Sequence, residues 1–286
     1  MYYGLLSISV ILFGIQFLFN DKFEKEAGNN TASTFLFSFI SSVSGLISLL
    51  IINKFQIDAT PLTLLMSFFS SAVIIGYNFF SLKAIAYINL SLYSLFAMLG
   101  GMVLPFVTGI VFYDEPLTIG NTICLALISI ALAITVGKGD KKSKSATLYY
   151  AGVFILNGMA GVVSKIYASS EYNKCNEAVF SIWAAFFGVL ITSVVLLVLR
   201  KNIPKISKKA YLLGGGYGVI NKFANYLLLI ALAVLPASVQ YPFVTGGVMI
   251  VSTIISIICG QKPSKREIGA VVLSFVGILV LVLVKQ

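Results

Sequence analysis

Long apolar runs alternate with short polar breaks along the whole chain. The runs are about twenty residues long, the length an α-helix needs to cross a bilayer, and they lack the alternating polarity of membrane β-strands. The pattern therefore predicts an all-α integral membrane protein with ten transmembrane helices. The predicted spans are 2–19, 31–52, 61–83, 89–112, 117–136, 147–168, 177–199, 210–232, 236–259 and 266–284.

The ten predicted spans form two sets of five that share residues at an offset of 147. The correspondences are Tyr2-Tyr3 with Tyr149-Tyr150, Gly14 with Gly161, Asn78 with Asn225, and Glu115-Pro116 with Lys262-Pro263. Because five is odd, the second set must cross the membrane in the opposite sense. We therefore predict two inverted-topology five-helix repeats, 1–137 and 147–286, joined by a basic linker at 138–146. Such repeats are typical of secondary transporters, whose substrate site lies near the midplane between them.

Composition supports a membrane protein and removes several other classes. Hydrophobic residues make up 58% of the chain and charged residues 10%, whereas soluble domains carry about 25% charged residues. The chain has no histidine, and its cysteines (Cys124, Cys175 and Cys259) are far apart, which excludes a His-based triad and a CxxC metal site. We expect these cysteines to be packing residues. No enzyme, cofactor or metal site is predicted.

The net charge of +10 resides mainly in the short connections and indicates topology rather than nucleic-acid binding. Connections after odd-numbered spans carry fourteen Lys and Arg residues, whereas the other connections and both tails carry three. Since cytoplasmic loops hold the positive excess, this distribution predicts a protein of the cell membrane (the plasma or inner membrane) with both termini on its outer side.

The stretch Phe112–Thr118 (FYDEPLT) closes the fourth predicted span in an acidic turn and resembles the end of the EamA repeat. The stretch from Ile268-Gly269-Ala270 to Gly277–Val280 is similar to the last helix of that repeat. With ten spans in two halves, the chain resembles the drug/metabolite transporter superfamily, which implies a transporter working by alternating access. Lys262 departs from the acidic residue usual in the second repeat. Relatives usually keep both termini in the cytoplasm, in conflict with the charge count, to which we give priority.

Three lysines lie within predicted spans. Lys83 and Lys165 lie near span ends, where a long side chain reaches the interface. Lys222 lies about thirteen residues into the eighth span, too deep for that. Its ammonium must therefore face a cavity or a partner, or lose its proton. We expect a substrate-binding or coupling role, and the alternative is a structural bond to helix carbonyls.

Amides and tyrosines surround this lysine in sequence. Asn221, Asn225 and Tyr226 lie close to Lys222 on the eighth span, and Asn78 with its neighbour Tyr77 occupies the corresponding part of the third. These side chains are predicted to bind substrate from opposite walls, and the alternative is hydrogen bonding that joins helices. Further candidates for the cavity, with packing as their alternative, are Asn157, Gln240 and Tyr241.

Small residues and prolines complete the pattern. Glycine clusters such as Gly100-Gly101 and Gly214–Gly218 predict close helix packing. Pro105 and Pro242 lie in mid-span, where they permit bending or simply form tolerated kinks.

All ten acidic residues lie in connections or at span ends, so no carboxylate is available to exchange a proton for a cationic drug in mid-membrane. The deep positive charge favours a small anionic or zwitterionic metabolite, such as an amino acid or organic acid.

The predicted cavity is lined by spans three, four, eight and nine, with one and six closing it. A coupling proton or ion is left open, and the two halves in one chain make a monomer sufficient, with a dimer as the alternative. The alternatives are a quaternary amine held by an aromatic box, a lipid or polyprenyl-phosphate translocase, and a non-transporting membrane protein.

Overall fold

The structure is a computed structural model that describes residues 2–28, 30–87, 90–135, 144–258, 260 and 263–284. Within its helices, the side chains at 17, 21, 82–87, 90–95, 135, 144–147, 150 and 256 are not described. The side chain of Lys83 therefore lies outside the described part of the chain, as do Lys262 and most of the predicted linker. The described helices are α1 (Tyr2–Ala27), α2 (Thr31–Ile52), α3 (Pro61–Tyr87), α4 (Leu90–Tyr113), α5 (Ile119–Thr135), α6 (Lys144–Ser169), α7 (Glu177–Val198), α8 (Lys208–Leu232), α9 (Ala237–Ile258) and α10 (Lys265–Leu283).

The predicted all-α fold is confirmed in the described residues. Eight helices there are long and apolar enough to cross a membrane, namely α1, α2, α3, α4, α6, α7, α9 and α10, and they indicate a multi-pass membrane protein. The described apolar part of α5 is shorter, Ile119–Ile134. Helix α8 is long enough but is not among these eight, because Asn221, Lys222 and Asn225 interrupt its apolar run.

Polar residues in the connections start several of these helices. Asn30 and Asn176 cap α2 and α7 by accepting a hydrogen bond from the backbone N–H three residues later. Ser207 caps α8 in the same way, and Ser264 forms a capping box with Glu267 at the start of α10. Each cap satisfies an amide that the helix leaves unpaired, so the polar breaks also fix where the helices begin.

Most helix contacts join a helix of the first five to a helix of the last five. Helix α1 packs on α8 and α9, α3 packs on α6 and α7, α2 lies between α7 and α8, α4 contacts α6 and α9, and α5 packs on α10. Gly100 of α4 lies against the α6 backbone and Gly218 of α8 against that of α2, with no room for a Cβ at either position. The expectation that glycines permit close packing is thus confirmed at these two contacts.

Helix α8 defines two ends of the bundle. It begins near the end of α1, where the Glu26 side chain contacts Lys209 of α8. It ends at Leu232, which lines a recess together with Glu115. At 1.5 Å per residue these places are about 35 Å apart. We refer to them as the Glu26 end and the Glu115 end.

Candidate functional site

Glu115 follows α4 in a turn that folds its side chain back onto the helix. Helix α4 ends at Tyr113, and Asp114 adopts a left-handed conformation with φ of 50°, which Asp tolerates better than most residues. The Glu115 N–H then donates to the Gly109 carbonyl at 3.1 Å. The carboxylate lies so close to Gly109 that a Cβ there has no room.

The Glu115 carboxylate caps helix α9 from 122 residues away. The backbone N–H of Ala237 donates to Oε1 and that of Ser238 to Oε2, each at 2.8 Å. These amides belong to the first turn of α9, where no intrahelical acceptor exists and the helix dipole favours a negative charge. Pro236, which precedes them, has no polar side chain to serve as a cap.

Lys165 of α6 completes this group, which we call the Glu115 cluster (Glu115, Lys165, Ala237 and Ser238). Its Nζ lies 2.5 Å from Glu115 Oε1, and the two side chains are 8% and 7% exposed. The Lys165 ammonium also lies 5.0 Å from the centre of the Tyr113 ring. The sequence-based expectation that Lys165 reaches the interface on its own is wrong, because its charge is buried in an ion pair.

The surroundings keep the Glu115 carboxylate ionised. Burial by itself raises the pKa of this carboxyl, but the Lys165 ammonium and the N–H groups of Ser238 and Ala237 outweigh burial and bring the pKa below its ordinary value of 4.5. At neutral pH the Glu115 carboxylate is therefore ionised although it is buried.

Further hydrogen bonds near the Glu115 end link other residues of the two predicted halves. The Tyr167 hydroxyl of α6 hydrogen-bonds with Thr63 of α3 at 3.2 Å, and the Trp183 indole N–H of α7 donates to the Asp58 carbonyl at 2.9 Å. Beside the cluster lies an open recess of about 180 Å3. It is lined by Glu115, Lys165, Ser169 and residues 232–236.

Lys222 lies in the middle of α8, as predicted, and its side chain is half-buried. The methylene stem covers Gly45 of α2, where it leaves no room for a Cβ. Among the described residues the ammonium has no hydrogen-bond or ion-pair partner. The structural alternative of a bond to helix carbonyls thus has no support in the described part of the chain.

The amides near Lys222 turn toward different neighbours. Asn221 donates to Gln16 Oε1 of α1 at 2.8 Å, whereas Asn225 donates to the Asn221 carbonyl of its own helix. Asn78 of α3 donates to Ser38 Oγ of α2 at 3.1 Å. The structure therefore brings Asn78 and Lys222 to the same helix, α2, rather than directly to each other.

Ser38 and Gly45 are seven residues apart, which places the contacts of Asn78 and Lys222 on one face of α2, about two turns from each other. Sequence reasoning missed this part of α2 because serine and glycine within an apolar run indicate only close packing. It also missed Gln16 as the partner of Asn221, and it did not connect Lys165 with Glu115.

The remaining candidates join helices. The Asn157 amide donates to a backbone carbonyl of α4 at 2.6 Å, that of Gln240 to one of α8 at 2.9 Å, and the Tyr241 hydroxyl to one of α6 at 3.0 Å. Tyr77 and Tyr226 are half-buried. Contact of these five side chains with a solute stays a prediction.

No metal site is found in the described part of the chain, since no three His, Cys, Asp or Glu side chains converge there. Cys124 and Cys175 are both buried free thiols, which agrees with the packing role predicted for them. Cys259 lies outside the described residues.

Comparison with known proteins establishes the fold alone. No family model matches the chain, and no curated protein matches it. A solved structure described only as the crystal structure of a protein superposes with a TM-score of 0.79, covering 99% of this chain and 96% of the other at 14% sequence identity. The arrangement of helices is therefore one that an experimentally determined protein adopts over nearly its full length.

Proposed function

We propose that the chain is a ten-helix secondary transporter of the drug/metabolite transporter superfamily that moves a small anionic or zwitterionic metabolite by alternating access. The single observation that carries this proposal is the Glu115 cluster. It places a buried, ionised contact between the two predicted repeats, with Glu115 in the first and its three partners in the second.

The pairing of the helices supports the inverted repeat. A shift of five helices turns the α1–α8 contact into α6–α3, α4–α6 into α9–α1, and α2–α8 into α7–α3, and all of these pairs pack together. The α2–α7, α4–α9 and α5–α10 contacts each map onto themselves. This is the pattern expected of two similar halves related by a twofold axis, and α2 and α7 also share an asparagine cap.

The chemistry of the cluster suits a contact that opens and closes. A buried ion pair often stabilises a fold no more than apolar residues of the same size, so a gain in stability does not explain this pair. Water can solvate both charges when the halves separate, whereas a separated apolar contact gains no such compensation. We therefore assign the cluster to the closed state of the Glu115 end.

Lys222 supports an anionic or zwitterionic solute. A half-buried ammonium in the middle of a helix is costly to leave without a counter-charge. It lies against α2, two turns from the Asn78–Ser38 contact, so a solute that brings a carboxylate or phosphate to the ammonium and a polar group to Asn78 would span about 10 Å along that helix.

A ligand screen with a matched variant tests the proposal. Purified protein is heated in the presence of amino acids, organic acids, phosphorylated acids and quaternary amines, and Tm is recorded for each. The wild type should be stabilised by anions or zwitterions, and Lys222→Met should lose that stabilisation while remaining folded. Lys201→Met, which alters an exposed lysine in the α7–α8 connection, serves as the control and should respond like the wild type.

Uptake into liposomes by the wild type, and its loss in Lys222→Met, should follow for the same compounds. Full transport by Lys222→Met would contradict the role of this lysine. Stabilisation by quaternary amines alone, unchanged in Lys222→Met, would instead favour the aromatic-box alternative.

A further inference from the structure

The donors that hold Glu115 form a carboxylate site in their own right. The N–H groups of Ala237 and Ser238 each bind a different carboxylate oxygen, and the Lys165 ammonium binds one of the two. All three donors belong to the second predicted repeat. The ligand they hold, Glu115, is supplied by the first repeat on the short turn between α4 and α5.

Separation of the two halves at this end would leave these donors together without their acceptor. Each of these donors, two first-turn amides and a lysine whose side chain is 8% exposed, then loses a charge-assisted hydrogen bond. The open site therefore favours binding of another negatively charged group. The site therefore selects for a carboxylate whether or not that carboxylate comes from Glu115.

A solute has a route to this place. The open recess of about 180 Å3 includes both Glu115 and Lys165 in its lining. At about 30 Å3 per molecule, its volume corresponds to about six waters, enough for the carboxylate end of a small metabolite.

A second polar group in the same corner is incompletely paired. The Asn121 amide is 1% exposed and donates to Ser238 Oγ at 3.3 Å and to the Pro116 carbonyl at 3.2 Å. Within the described residues, its Oδ1 is buried without a hydrogen-bond partner. A buried acceptor left unpaired is unfavourable, so the polar groups of this corner are not fully paired in the closed arrangement.

We propose that a carboxylate-bearing solute replaces Glu115 on Lys165 and on the N–H groups of Ala237 and Ser238 when the Glu115 end opens. Glu115 then acts as an internal substitute that fills the site while the end is closed. This inference rests on the proposed function and assigns the solute class that enters at this end.

Chemical rescue of a truncated side chain tests the site. Glu115→Ala removes the internal carboxylate and should lower Tm, and formate or acetate should restore much of the loss in a saturable way. Chloride at the same ionic strength should not. The double variant Glu115→Ala/Lys165→Met should lose the rescue, and wild-type Tm should respond little because Glu115 already occupies the site. Phosphate, tested alongside, should rescue less than acetate because the site binds two oxygens in one plane.

If Glu115→Ala does not survive purification, extraction in acetate and in chloride gives the same comparison through the yield of monodisperse protein. Equal behaviour in acetate and chloride, in either measurement, would overturn the site. Uptake of carboxylates by wild-type protein without any rescue of Glu115→Ala would also overturn it and leave the proposed function standing. Rescue without uptake would retain the site and contradict the transport function.

Discussion

The two ends of the bundle connect the predicted halves with ion pairs of very different surroundings. At the Glu115 end the pair is 7–8% exposed and the carboxylate also caps α9. At the Glu26 end, Lys209 contacts Glu26, but their side chains are 68% and 29% exposed. Ser207 adds a hydrogen bond to Glu26 at 3.3 Å, again near the surface.

The difference follows from sequence as well as from packing. At the offset of 147, the counterparts of Glu115 and Lys165 are Lys262 and Leu18, so the Glu26 end does not have the residues for a second cluster of this kind. A cation at the corresponding helix start would also oppose the helix dipole. The comparison shows that a buried ion pair connects the halves at the Glu115 end, whereas at the Glu26 end the ion pair is exposed and the buried contact is apolar, among Phe23, Phe37 and Ala210.

The largest effect should come from breaking the buried pair. Lys165→Met leaves the carboxylate buried without its counter-ion, and loss of one partner of such a pair costs about 3 kcal/mol. Thermal or denaturant unfolding in detergent measures this. The double variant Glu115→Gln/Lys165→Met should be less destabilised than the sum of the single variants, and simple additivity would contradict a direct pairing.

Crowding the space behind Glu115 should have the next largest effect. Gly109→Ala places a methyl group against the carboxylate and should cost about 2 kcal/mol through displacement of Glu115. Gly269→Ala in α10 is the matched control, since a Cβ there meets nothing within 4 Å. Equal stability of the two variants would show that Glu115 does not fold back onto α4.

Acid should weaken the Glu115 end in a defined direction. The folded pKa of Glu115 lies below its ordinary value of 4.5, so its stabilisation is complete above that value and is lost as the pH falls through the folded pKa. Tm should therefore be insensitive to this group from pH 5 to 8 and should fall below that range. Without the ammonium the folded pKa of Glu115 rises, so its difference from the unfolded pKa narrows, and Lys165→Met should lose less stability in acid than the wild type.

The smallest effect is expected at the Glu26 end. Lys209→Met removes a largely exposed ammonium, and pairs in water contribute little. Its Tm should stay within error of the wild type and should not depend on salt. A loss as large as that of Lys165→Met would remove the contrast between the two ends.

Much of the fold could be predicted from the sequence, because an uninterrupted apolar run about twenty residues long has few alternatives to a membrane helix. The helix ends were harder to predict, since helices such as α1 and α6 extend into polar residues beyond the apolar run. The polar character of α8 was visible in Asn221 and Lys222, and their place within that helix is confirmed.

The candidate site could be predicted only in part. Lys222 was identified because a charge in mid-span is unusual by itself. The Lys165–Glu115 pair was not, because each residue lies near a span end, where charges ordinarily meet water, and fifty residues of chain separate them. Their burial depends on how α4, α6 and α9 meet, which is information that no local pattern contains.

In the proposed mechanism, the Glu115 cluster holds one end closed and separates during transport. Spin labels at Leu117→Cys and Val234→Cys, two exposed positions beside the cluster, test this by distance measurement after the native cysteines are replaced. We expect a single short distance in the wild type without solute, and a second population at longer distance on addition of a transported carboxylate or on Lys165→Met substitution. The same short distance under all three conditions would contradict it.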